Sequence, residues 1–124
     1  MSSECKSEVI YMNHKMKLQP NYYNYILNGT KRIEIRLNDE KRQQIKIGDT
    51  ITFFKEPNLE EKFITKVVGL LLYDSFEDMF EDYNIAILAD VSMKKEDVIM
   101  ELEKFYTKEK QKQYGVLGII IKLI

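Results

Sequence analysis

Gly29-Thr30-Lys31-Arg32-Ile33-Glu34-Ile35-Arg36-Leu37 reads as the end of a helix feeding directly into a strand. Ile33, Ile35 and Leu37 fall on one face of an extended chain, and Arg32, Glu34 and Arg36 on the other. With Lys31 at the entry, four charged side chains share a small patch. On a flat surface such a face is a solvated one, each ion pair worth ~0–1 kcal/mol. Lining a cleft, the same charges act through a lower dielectric and can pull a lysine pKa down.

Outward from this stretch the chain alternates short elements. His14 to Gln19 is a first strand. Pro20 suits the first turn of a helix whose Tyr22, Tyr23, Ile26 and Leu27 lie on one face, and Gly29 caps it. After a polar connection, Lys46-Ile47-Gly48-Asp49 turns into a strand over Thr50–Lys55. A long apolar strand follows over Lys62–Tyr73, where Gly69 marks a bulge or a close crossing. Ser75-Phe76-Glu77-Asp78 has the capping-box spacing ahead of a helix carrying Phe76, Met79, Phe80 and Tyr83. A second helix begins near Ser92 or Met93 and buries Val98, Ile99, Leu102, Phe105 and Tyr106; Lys108 to Gln113 extends it or forms a polar loop. Gly115 to Ile124 is a buried closing strand. The expected order is β-α-β-β-β-α-α-β, an α+β domain built as a small mixed β-barrel flanked by two to three helices. Residues 1–13 are an extension and 14–124 the domain.

The 124 residues suffice for one core. Cys5, the single cysteine, cannot form an intrachain disulfide, which fits a reduced, cytoplasmic setting. No apolar run approaches the roughly 20 residues of a membrane span. The net charge of −1 argues against a protein that coats DNA by bulk charge. That charge is segregated. Residues 1–55 carry 10 Lys/Arg against 6 Asp/Glu, and residues 56–110 carry 7 against 14. A basic first half hints at an anionic partner, although acids that merely favour the later helices give the same asymmetry.

Gly29-x-Lys31-x-x-Glu34-x-Arg36 resembles the signature of the ASCH domain family. Leu37 to Arg42, then Ile45 to Ile51 with its Lys-x-Gly-Asp step, and Tyr114-Gly115-Val116 before the last strand are similar to segments of bacterial-type members. The likeness runs from about His14 to Ile124. It implies a PUA-like barrel and an RNA- or nucleotide-binding role in a cleft floored by the motif, with Lys31, Glu34 and Arg36 as site residues. Arg36 can offer a planar fork to a phosphate or a base edge. Glu34 can accept from an exocyclic amine, or simply hold Arg36. Lys31 can neutralise phosphate, or act as a base. Lys41 and Arg42 are candidates for backbone phosphates, and Tyr114 for a cleft wall. Some family members are amidohydrolases that deacylate N4-acetylcytidine with a lysine, a threonine and a more distant glutamate. Lys31 matches the lysine, Glu34 stands where they have threonine, and Asp90 and Glu96 both lie near the region of the glutamate. As catalytic residues, Lys31 and Glu34 belong to that enzyme reading only.

One histidine, His14, and one cysteine exclude a His/Cys zinc site, and no Walker or dinucleotide glycine pattern implies a cofactor. A third reading, a protein-interaction module, rests on the acidic segment 74–103.

Overall fold

Pro20 supplies a preset φ at the start of the first helix, and its missing N–H costs nothing there. Asn28 ends that helix, and Gly29, at φ 88°, turns the chain out of it. Such local signals recur along residues 10–124, which the computed structural model describes; Cys5 lies outside them. The elements are β1 (Asn13–Leu18), α1 (Pro20–Leu27), β2 (Ile33–Leu37), β3 (Thr50–Lys55), β4 (Lys62–Tyr73), α2 (Phe76–Asp82), α3 (Ile85–Leu88), α4 (Lys95–Phe105), α5 (Lys108–Tyr114) and β5 (Val116–Leu123).

The fold class is α+β, as expected, with two helices more than the sequence pattern predicts. The additional α3 is a single turn started by the Asn84 side chain, which accepts from the Ala86 N–H. Lys108 to Gln113 neither extends α4 nor forms a loop. Tyr106 leaves helical geometry, and Thr107 caps a new helix by accepting from the Lys110 N–H. At Ser75 the cap is as read: its hydroxyl accepts from the Asp78 N–H at 3.1 Å.

The five strands form one mixed sheet in the order β1-β3-β4-β5-β2, with β1 parallel to β3 and the other pairs antiparallel. The edge strands β1 and β2 are not paired as strands, yet Arg36 on β2 reaches the Lys17 carbonyl of β1 at 3.0 Å. The sheet therefore curls until its two edges nearly meet, a barrel left open along one seam. Register slips between Val67 and Gly69, and a Cβ at Gly69 would stand 2.9 Å from Ile120 Cδ1. Both sequence readings of that glycine, bulge and close crossing, hold.

Two apolar clusters flank β5. Leu117, Ile119 and Ile121 join Met16, Leu18, Tyr23, Ile26, Ile51, Phe53 and Val67 inside the curl. Val116 joins Ile33, Ile35, Phe76, Met79, Phe80, Leu88 and Val98 beneath the helices. Burial on both faces is why β5 shows no apolar–polar alternation.

Candidate functional site

Cross-strand partners project to the same face of a sheet. Glu34 lies opposite Ile119 and Arg36 opposite Leu117, so both point into the curl with those core residues. Ile33 and Ile35 face the helices. Arg32 departs from the expected alternating trio: it precedes the strand and its side chain is exposed. Lys31 takes the inner place instead. The turn after Gly29 explains this. The Lys31 N–H donates to the Tyr25 carbonyl and the Asn28 side chain accepts from the Thr30 N–H, folding the backbone back so that the lysine side chain enters the protein.

Lys31 is 3% exposed and Glu34 5%. The Lys31 ammonium donates to the carbonyls of Ile33 and Leu88, both at 2.6 Å, and stands 3.5 Å from Glu34 Oε1. It also lies 5.7 Å from the centre of the Tyr22 ring. The other Glu34 oxygen accepts from Arg36 Nε at 2.8 Å. Burial holds the Lys31 pKa below its ordinary value, with Glu34 opposing that shift. Burial acts in the same direction on Arg36, but Glu34 and then Tyr106 outweigh it, and its pKa is raised. Tyr22 is pushed up to about 12, chiefly by burial, with Glu101 and Glu34 adding to the shift.

This triad floors a cavity of about 240 Å³ at the seam. Lys17, Leu18 and Gln19 from the end of β1 form one side, Tyr22 from α1 another, and Glu56 a third. Leu88 of α3, then Val98, Glu101, Leu102, Phe105 and Tyr106 along α4, close it from above. Phe105 is 65% exposed although it lines the cavity, an aromatic surface without a cover.

The structure brings together Lys31, Glu34 and Arg36, and places the other expected site residues elsewhere. Lys41 is exposed and precedes a turn of 3-10 helix at Arg42–Gln44. Arg42 is drawn to Asp39 at 3.1 Å, and neither basic residue lines the cleft. Tyr114 borders a surface recess with Asp74 and Gly115, because α5 carries it away from the seam; Tyr106 is the tyrosine at the wall. Asp90 binds Ser92, and neither it nor Glu96 lines the cleft, whereas Glu56 and Glu101 do. Those two acids were not singled out from the sequence. Glu101 carried a signal, since it sits three residues after Val98 and four before Phe105, an acid on the apolar stripe of α4. Glu56 carried none.

His14 is engaged away from the cleft, its Nε2 2.8 Å from Asp49 Oδ2. Among the described residues no group of three or more His, Cys, Asp or Glu is arranged to hold a metal ion, and no helix is long and apolar enough to cross a membrane.

Comparison with known proteins follows the same lines. A family model described as the ASCH domain matches residues 16–124. The crystal structure of the hypothetical protein PH0355 is similar with a TM-score of 0.79 at 38% identity, covering 90% of this chain and 99% of that one. Protein PF0455 from Pyrococcus furiosus, solved by NMR, follows with 0.73 at 34% identity, covering 90% and 97%. The crystal structure of ASCH from Zymomonas mobilis matches with 0.61 at 10% identity, covering 89% and 66%, a likeness of fold alone. Among curated proteins none matches.

Proposed function

The chain belongs to the ASCH domain family, and from that premise we propose that it is an RNA- or nucleotide-binding module whose ligand sits in the cleft over Lys31, Glu34 and Arg36. The observation that carries this reading is the ion triad, buried at Lys31 and Glu34 and partly open at Arg36, turned into a concave, partly aromatic site, where a solvated strand face would have left it in water. A buried triad is a weak source of stability by itself. Its placement beneath Tyr22, Phe105 and Tyr106 gives it a use in recognition. Arg36 has five N–H donors and spends them only in part on Glu34 and the Lys17 carbonyl, so it can still meet a carbonyl or ring nitrogen of a base.

Isothermal titration with single-stranded RNA oligomers and with nucleosides tests the reading. Phe105→Ala and Arg36→Ala, each first shown to be folded by circular dichroism, are expected to weaken binding about tenfold or more, as loss of an aromatic or charged contact covered by the ligand does. Unchanged affinity in both variants overturns the proposal.

A second reading, an N4-acylcytidine amidohydrolase, draws support from one contact: a buried lysine of lowered pKa 3.5 Å from a carboxylate at a cavity floor. Incubation with N4-acetylcytidine decides it. Free cytidine above the buffer control supports the enzyme, and none removes it.

A further inference from the structure

The cleft holds three basic and three acidic side chains, but they are not equally free to meet a ligand. Lys31 spends its ammonium on two carbonyls and Glu34. Arg36 pairs with Glu34, and Glu34 is shared between the two, so the floor as a whole keeps one net positive charge. What remains around the opening is one cation, Lys17, against two carboxylates, Glu56 and Glu101. Neither carboxylate takes part in an ion pair among the described residues. A cleft in a basic half of the chain thus presents an acidic mouth, because the acids arrive from later segments.

From this distribution, and resting on the reading of the cleft as a nucleobase site, we infer that it admits an uncharged base or nucleoside and turns phosphate away, with Glu56 and Glu101 as the residues that set this preference. Three further features agree. The cavity of about 240 Å³ lies below the ~300 Å³ at which ordinary ligand pockets begin, room for one base with its sugar and not for a strand. The aromatic groups at the wall, Phe105 and Tyr106, suit a flat ring. The raised pKa of Tyr22 comes chiefly from burial, with the negative charges of Glu101 and Glu34 adding to it on the α1 side of the cleft. In an RNA, the base enters and its phosphates stay outside.

The test is titration of the wild-type protein with adenosine, cytidine, guanosine and uridine and with their 5′-monophosphates, repeated on the Glu56→Gln/Glu101→Gln variant. At least one nucleoside is expected to bind, and its monophosphate to bind about tenfold more weakly or worse, the penalty of like charges brought together. The variant is expected to narrow that ratio, mostly by gaining affinity for the monophosphate. A monophosphate that binds the wild type as well as its nucleoside, or a ratio untouched in the variant, overturns this inference while leaving the nucleobase site standing. Failure of every nucleoside and monophosphate to bind overturns the nucleobase site, and this inference with it.

Discussion

Three acceptors surround the Lys31 nitrogen, as many as an ammonium has hydrogens, and this makes the residue a strut more than a ligand-facing cation. Removing it leaves Glu34 buried with one partner fewer and two carbonyls without a donor. Lys31→Met is therefore expected to cost ~3–5 kcal/mol in urea unfolding, the range for breaking a buried ion pair from one side. Adding Glu34→Gln should deepen that loss, since Arg36 then loses the carboxylate it donates to; a cost under ~1 kcal/mol for the single variant would contradict a buried pair. Asp49 is a second buried charge with a different purpose. At 1% exposure it accepts from the N–H groups of Met12 and Lys46, both at 3.0 Å, and pairs with His14. Burial alone would raise its pKa, but these hydrogen bonds outweigh it and hold the carboxyl below its ordinary 3.8. A depressed carboxylate contributes stability that is complete above its unfolded pKa and is lost as the pH falls through the folded one. Asp49→Asn should thus cost ~1.5–3 kcal/mol at neutral pH, with the gap to wild type closing only in acid, below the ordinary carboxylate range. A gap that stays constant to pH 2 would contradict this.

At the level of elements, Gln111 ties the helical layer together. It is 3% exposed, its carbonyl accepts from the Phe76 N–H at the start of α2, and its amide donates to Glu103 and to the Tyr106 carbonyl. Gln111→Leu keeps the volume and strands these groups, so a loss of ~1–3 kcal/mol in thermal or urea unfolding is expected. Gly29→Ala meets no atom within 4 Å, so its cost is conformational alone, ~1–2 kcal/mol for a Cβ at positive φ. The strands were legible because their cues are local. Thr50–Lys55 and Lys62–Tyr73 begin and end where turn residues say they should. α3 was not legible, since four residues are too few to show a period, and α5 was hidden because its surface is almost wholly polar. The cleft was half legible for a similar reason. Lys31, Glu34 and Arg36 are neighbours in sequence, whereas Glu56, Glu101 and Tyr106 join them only through the curl of the sheet and the placement of α4.

For the whole molecule, 19 Lys/Arg against 20 Asp/Glu and an acidic mouth leave no excess of cations to replace counterions along an RNA backbone. The salt dependence of RNA binding should be shallow, with a slope of log K on log salt no steeper than about −2, the value for two or three phosphates on a single strand. A steep slope in a titration from 50 to 300 mM salt would mean that a basic surface outside the cleft carries the interaction. The basic residues outside the cleft are partly spent already, Arg42 on Asp39 and Lys55 on Glu61. Arg36 has one more consequence. Its contact with the Lys17 carbonyl is a stitch across the seam between β1 and β2, made by the same guanidinium that would greet an occupant. Breathing of that gap and occupancy are then two sides of one equilibrium, and whatever settles on Arg36 should slow deuterium uptake along β1 and β2 together. Such a footprint would reveal a guest before its chemical identity is known.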